Sequence, residues 1–363
     1  MRSIILIFAL FLAAPAAWPD DARDDPASTR LQPLVGSPPF PADNPPTPEK
    51  IRLGKELFFE NALSGTGRRS CSTCHKPELN FTDGFSRGWG LNESELRRKT
   101  PGLLNVGWQR SMFFDSRLDK LEEQVSKPLE HPNEMNLDPA EAVERIAGKP
   151  YYQRLFGEAF PGEEIRFELI AKAVASYERT LVSYDSDLDR YLLGDESALS
   201  AEALRGMALF EGKAGCIRCH SGPLLTDHQR HYTGVPEERG DNAPGFKYKT
   251  QSLRDVTRRY SYMHAGQLLR IEDVLDHYQR GGSAPEGLQA EIEPFELSES
   301  EREDLIAFLS SLNGRVNELI EASPKSRDVF SLSQQPKSGP VTEDPPMDPN
   351  YPAANRGAPP RPR

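Results

Sequence analysis

Two short segments carry the clearest chemistry in this chain, Cys71-Ser72-Thr73-Cys74-His75 and Cys216-Ile217-Arg218-Cys219-His220. Each reads C-x-x-C-H. Cysteines three positions apart can form thioethers to the two vinyl groups of one porphyrin, and the His that follows then lies under the iron as an axial imidazole. Both segments therefore read as attachment sites for a c-type haem. They use all four cysteines of the chain, which leaves none for a structural disulfide. A zinc site of four thiolates, or a pair of redox dithiols, could use the same cysteines, but neither requires a His after each pair.

The elements that must hold these segments repeat as well. Gly54-Lys55-Glu56-Leu57-Phe58 precedes the first by a short loop, as Gly206-Met207-Ala208-Leu209-Phe210 precedes the second. Elsewhere the patterning is helical. Asp138 is placed to cap a run through Val143 and Ile146, and Leu169, Ala173, Val174, Tyr177 and Leu181 share one helical face. Ser298 and Glu301 form a capping-box pair ahead of Leu305, Ile306, Leu309 and Leu312, with Gly314 as the stop. Ile271, Val274, Leu275 and Tyr278 recur at i, i+3, i+4 and i+7, which points Tyr278 inward and turns His277 about 100° off that face. Alternating strand patterns are scarce. The expected fold is mainly α, with two cytochrome c-like helical domains over residues 49–190 and 191–322, each with one covalent haem.

Lys and Arg total 44 against 55 Asp and Glu in 363 residues, a formal charge of −11. That sign disfavours nucleic acid and suits a basic protein or a small neutral substrate. Met1-Arg2-Ser3, an apolar run from Ile4 to Leu12, and Ala13, Ala14, Ala16 and Ala17 read as a secretory signal peptide over residues 1–17. A retained amino-terminal anchor is the alternative. The run falls short of the ~20 apolar residues of a membrane span, so a periplasmic protein with no span after cleavage is expected. Residues 18–48 are rich in Pro and read as an extended arm, and residues 323–363 read as a disordered tail.

From about Leu53 to Asn313 the chain resembles the bacterial di-haem cytochrome c peroxidase superfamily, and within it the MauG-like branch. The stretches that carry the resemblance are LSGTGRRSCSTCH, TPGLLNVGW, FFDSRLDKLEEQVSKPLEHPNEM, GCIRCHSGPLLTD and SLRDVTRRYSYMHAGQLLRIEDVLDHYQRGG. The resemblance implies that peroxide reacts at the amino-terminal haem, with His75 as its proximal ligand. It also implies a distal Gln, Pro and Glu at spacings that Gln124, Pro128 and Glu134 satisfy. Taken alone, Glu134 is an ordinary solvated carboxylate. In the family register it would take the proton from the inner peroxide oxygen and deliver it to the outer one, while Gln124 holds the oxygens.

The carboxy-terminal, electron-transfer haem would have His220 on one side. The peroxidase branch has a Met at the position aligned with Tyr278, whereas the MauG-like branch has Tyr. Met263 and His264 are competing ligands, and a core tyrosine bonded elsewhere is the plain alternative. Three departures stand out. Phe114 replaces the family's inter-haem Trp, for which Trp108 and Trp89 are substitutes to consider. Lys99, Arg259 and Ser261 fall at the positions aligned with a calcium site, and an ammonium there argues against calcium. The loop from Phe85 to Lys99 has no His to block the first iron, which leaves only His131 as a candidate blocking ligand. The expected function is a periplasmic peroxidase that draws electrons from a small cytochrome c or cupredoxin and reduces hydrogen peroxide. The alternatives are MauG-like oxidation of side chains on a partner protein, and a di-haem electron carrier without substrate chemistry.

Overall fold

The computed structural model describes residues 29–91, 94–236 and 244–318. The expected signal peptide, residues 18–28 of the arm and the tail over 323–363 lie outside the described residues. Within them the chain is mainly helical. The first half contains α1 (Pro48–Phe58), α2 (Cys71–Cys74), α3 (Leu121–Gln124), α4 (Ser126–Glu130), α5 (Pro139–Ala147), α6 (Pro150–Ala159) and α7 (Phe167–Glu178). Strand β1 (Leu181–Tyr184) leads into α8 (Asp187–Leu192) and α9 (Ala201–Glu211), then β2 (Arg230–His231), β3 (Tyr248–Lys249), α10 (Ile271–Gln279), α11 (Glu299–Ser310) and β4 (Arg315–Glu318). The strands form two small antiparallel pairs, β1 with β4 and β2 with β3.

Local sequence explains the helix starts. Thr47 accepts from the Lys50 amide ahead of Pro48, and Asp138 accepts from Ala140 N at 2.7 Å ahead of Pro139. Ser298 and Glu301 form the expected capping box. Two expectations on helix ends are corrected. The α7 face stops at Glu178, and Leu181 belongs to β1, because β4 returns from the far end of the chain and pairs Leu181 with Glu318. Gly314 is not the stop of α11, which ends at Ser310. It lies where a Cβ would strike Ser183 Oγ and the Tyr184 backbone, so its small size permits β4 to approach β1.

The sequence echo becomes a duplicated helix crossing. A Cβ on Gly54 would run into the Ala173 carbonyl of α7, and a Cβ on Gly206 would run into the Asp304 carbonyl of α11. Four residues on, Phe58 meets Tyr177 edge-on at 5.2 Å, and Phe210 meets Phe308 at 5.1 Å. Each crossing anchors one apolar cluster, the first reaching from Leu53 to Leu181 and the second drawn chiefly from Leu188 to Leu312.

The duplication continues at a constant offset of 150 residues. Left-handed Asn105 and Asp255 each precede a 3₁₀ turn, Val106–Trp108 and Val256–Arg258. Met112 bridges to Leu118 as Tyr262 bridges to Leu268, and α3 begins at Leu121 as α10 begins at Ile271. The arm ties the halves together: Leu31 bridges to Gly222, Leu34 N donates to Asp189 at 2.8 Å, and buried Asn44 donates to Glu122 at 2.9 Å.

Candidate functional site

Both C-x-x-C-H segments are wound into single turns. Ser70 and Thr73 cap the first reciprocally, and left-handed Gly215 opens the second. In each, the His amide donates to the carbonyl of the first Cys at 2.9 Å, which fixes the His just after the turn. The chain then doubles back. His75 Nδ1–H donates to the Phe81 carbonyl at 3.0 Å, and His220 Nδ1–H donates to the Leu225 carbonyl at 2.9 Å. Phe81 and Leu225 both have left-handed φ, at 57° and 55°. A carbonyl can only accept, so each imidazole has its proton on Nδ1 and its lone pair on Nε2, the arrangement of a metal-ligating His.

Burial acts in the same direction. It pushes His75 down to about 4 and lowers His220, which keeps both rings neutral. Burial pushes the thiols of Cys71 and Cys216 up to about 12, and those of Cys74 and Cys219 up to about 11. Such sites disfavour thiolates and suit uncharged thioethers. Cys71 packs on the first cluster and Cys216 on the second. Among the described residues, the one group that could converge on a metal ion, Cys219, Asp227 and His231, holds a single Cys. A four-thiolate zinc site is therefore not formed.

Tyr278 shares one cavity of about 580 Å³ with Cys216, Cys219 and His220. Its walls include Phe210, Val274, Leu275, Leu305 and Leu309, a slot whose size and apolar lining fit a porphyrin. Burial raises the Tyr278 phenol, with the neighbouring sulfurs adding to the effect. The competing ligands separate. Gln267 Oε1 accepts from Ala265 N, so its Nε2 donates to His264 Nε2 at 3.1 Å, and the His264 ring stacks on Tyr248 at 3.8 Å. His264 is thus occupied, although it and Met263 both line the cavity that Tyr278 lines. His277, although off the apolar face, is 2% exposed, because its Nε2 donates to the Thr233 carbonyl at 2.9 Å.

In the first half, α3 and α4 continue through helical Val125 and carry Gln124 and Pro128. The internal offset places Pro128 where the second half has Tyr278. Glu134 follows in a tight turn, with Glu134 N donating to the His131 carbonyl at 2.9 Å and Met135 N to the Pro128 carbonyl at 3.1 Å. Burial raises the Glu134 carboxyl against the opposing pull of His131 and Arg117, and Glu134 in turn acts on Cys74. The first attachment turn and the distal segment therefore face one region. The His131 side chain is 46% exposed and lies 3.5 Å from the Glu134 carboxylate.

Phe114 lines the cavity between the halves. Trp108 is buried in a small separate cluster with Leu34, Val182 and Leu224, and Trp89 is 39% exposed beside Phe85. At the positions aligned with calcium ligands, Lys99 Nζ donates to the Ser261 carbonyl, and Arg259 donates to the carbonyls of Ser252 and Arg254. Sequence reasoning missed the Phe81 and Leu225 carbonyls. Their signal was the repeated Thr-Asp that follows each, Thr82-Asp83 and Thr226-Asp227; the two threonines donate to Thr100 O and Thr250 O.

A mainly helical chain with paired, half-buried, Nδ1-bonded histidines behind C-x-x-C turns is the arrangement of a haem oxidoreductase. The family model for di-haem cytochrome c peroxidase matches residues 48–197. MauG of Methylorubrum extorquens, a methylamine utilization protein, is 46% identical over 285 residues, 76% of this chain and 81% of that protein. The cytochrome-c peroxidase IdrP1 of Denitromonas iodatirespirans is 33% identical over 90% of this chain and 96% of its own. The crystal structure of a MauG-like protein associated with microbial copper homeostasis aligns with a TM-score of 0.70 and 32% identity, over 87% of this chain and 99% of that one. The chain belongs to the di-haem cytochrome c peroxidase family, in its MauG-like branch, and is a peroxidase of that family.

Proposed function

We propose a periplasmic enzyme with two covalent c-type haems that reacts with hydrogen peroxide at the first and relays electrons through the second. Cys71, Cys74 and His75 would hold the first haem, and Cys216, Cys219, His220 and Tyr278 the second. The observation that carries this reading is the internal register that sets Pro128, a side chain with no ligating atom, where the second half has the phenol of Tyr278. With haem bound, Pro128 would offer the first iron no ligand, whereas Tyr278 would offer one to the second. Bound haem supplies the first site with an iron that takes up peroxide and the second with an iron that exchanges electrons.

The chain's own groups do the rest. Glu134 takes the proton from the inner peroxide oxygen and returns it to the outer one, so that water can leave. Gln124 donates its amide N–H to the peroxide oxygens. A leader over residues 1–17 would export the chain to the compartment where such haems persist, and its net charge of −11 favours a basic cytochrome c or cupredoxin as donor. Calcium is not needed where the Lys99 ammonium meets the Ser261 carbonyl. Among the described residues no helix is long and apolar enough to cross a membrane.

MauG-like oxidation of a partner protein is the second reading, favoured by Tyr278 in place of Met and by the 46% identity to a MauG protein. The electron-carrier reading gives way to membership of an enzyme family. Stopped-flow mixing of the oxidised holoprotein with hydrogen peroxide, without prior reduction, should change the haem spectrum at once. Reduced cytochrome c, or a partner protein with an oxidisable Trp or Tyr, should then restore it. A silent spectrum in a protein shown by mass spectrometry to carry two haems would overturn the open first site.

A further inference from the structure

The offset of 150 residues pairs Lys99 with Lys249, and the two lysines make reciprocal contacts. Lys99 N donates to the His264 carbonyl at 3.2 Å, and Lys249 N donates to the Phe114 carbonyl at 2.7 Å; His264 and Phe114 are themselves equivalent. Lys99 Nζ donates to Ser261 O and Lys249 Nζ to Ser111 O, again an equivalent pair. Each lysine thus reaches from its own half onto the same carbonyl of the other, as the residues of a two-fold interface do. Each also directly precedes the threonine whose carbonyl secures the loop behind the C-x-x-C-H turn, Thr100 or Thr250.

Both lysines line the central cavity, and neither has a carboxylate within ion-pair distance among the described residues. Lys249 is 6% exposed, and its remaining contact is the neutral Gln109 amide at 2.7 Å. The nearby acids are bonded elsewhere: Asp83 to Thr100 and Phe85 N, Asp115 to Arg117, Asp255 through Oδ1 to Arg258 and Gly314 N, and Glu291 to His231 and Lys247; Asp83 and Asp115 attract Lys99 and Lys249 only from beyond ion-pair distance. Burial brings Lys99 down to about 7, with Arg259 adding to the effect, and Lys249 down to about 8. By contrast, buried Arg254 is fully paired with Asp189 through two bonds of 2.8 Å. Lysines are rarely buried without an anion, and an unpaired buried charge is costly.

We propose that Lys99 and Lys249 are a symmetry-related pair of cation anchors that bind the propionate carboxylates of the two haems at the interface between the halves. The cavity these lysines line includes Cys216, Cys219 and His220 of the second attachment turn and meets the first through the chain behind His75, Thr82, Thr100 and Pro101 among it, so each haem would bring its propionate anions to it from its own side. The offset also pairs Arg259 with Gln109, so the Lys99 site carries a second cation that the Lys249 site lacks. The two haems would therefore meet unequal positive fields.

This inference rests on the proposed pair of haems, so the test begins by counting them. Holoprotein of the wild type and of Lys249→Met, Lys249→Arg and Lys99→Met is checked by mass spectrometry for two haems, which thioethers retain whatever happens to the propionates. Both haem potentials are then measured by spectroelectrochemistry. Removing the cation leaves a propionate charge uncompensated and favours the ferric state. Each Met variant should therefore shift one haem's oxidised-to-reduced ratio at least tenfold toward oxidised, a drop of about 59 mV for one electron. Lys249→Arg should keep the wild-type value. Two haems with unshifted potentials in both Met variants would overturn the anchors and leave the functional reading intact. Fewer than two haems in the wild type would overturn that reading itself. If one Met variant does not accumulate, the other decides.

Discussion

In the proposed reaction Glu134 moves the peroxide proton, and its surroundings set how it should titrate. Burial holds the carboxyl above its ordinary value of 4.5, while His131 and Arg117 pull the other way. A proton acceptor must first be ionised, so the rate of the peroxide reaction should rise with pH through a midpoint above the usual carboxylate range. Glu134→Gln should slow the reaction by roughly 10² to 10⁴ and abolish that pH dependence, with both haems retained. An unchanged stopped-flow profile would remove Glu134 from the site. Tyr278 poses a different question, because Met263 shares its cavity. Tyr278→Met replaces a phenol by a thioether, a ligand that raises haem potential. The second haem should become more easily reduced while staying attached through Cys216 and Cys219, and an identical potential would mean that Tyr278 is a core residue.

The decisive contacts between elements are the two glycine crossings. In α1 against α7 and in α9 against α11 the helices touch backbone to backbone, and a side chain as small as methyl cannot be inserted without separating them. Gly206→Ala should therefore cost about 1–3 kcal/mol or more, by overpacking, and should lower the melting temperature. Gly157 in α6 provides the control, since nothing lies within 4 Å of a Cβ placed there. Gly157→Ala should stabilise slightly, because alanine loses less backbone entropy in a helix. Equal effects of the two changes would mean that the crossing is looser than its geometry indicates.

Across the whole molecule, one buried pair joins three separate parts of the chain. Asp189 accepts from Leu34 N of the arm, from Ser186 N and Oγ, and from both terminal nitrogens of Arg254, all within 3.0 Å. Burial works against its charge, but Arg254 and the hydrogen bonds outweigh that and hold the carboxyl below its ordinary 3.8. A depressed carboxyl binds fewer protons folded than unfolded, so its stabilisation is full above pH 3.8 and is lost as pH falls through the folded value. Asp189→Ala should leave Arg254 buried without its anion, which costs about 3–5 kcal/mol, and should flatten this acid limb of the stability profile. Denaturant titrations at several pH values would measure both effects. A variant as stable as the wild type at neutral pH would mean that the arm and the Arg254 loop are held by other contacts.

The amino-acid sequence alone determined whatever depends on neighbouring residues: the C-x-x-C-H turns, the caps at Asp138 and Ser298, and the echo that marks the duplicated crossing. These are local because thioether spacing and capping bonds span only a few positions. The tertiary structure decided what long-range partners control. Leu181 left its helical face for β1 because β4 arrived beside it. His277 was drawn inside by Thr233, and His264 was occupied by Gln267. Lys99, whose sequence position marks it only as an ammonium aligned with a calcium ligand, is set by the fold into contacts that mirror those of Lys249. Nothing in either stretch of sequence indicates that its lysine will be buried against the opposite half. The desolvation that singles the two lysines out exists only once the halves close on each other.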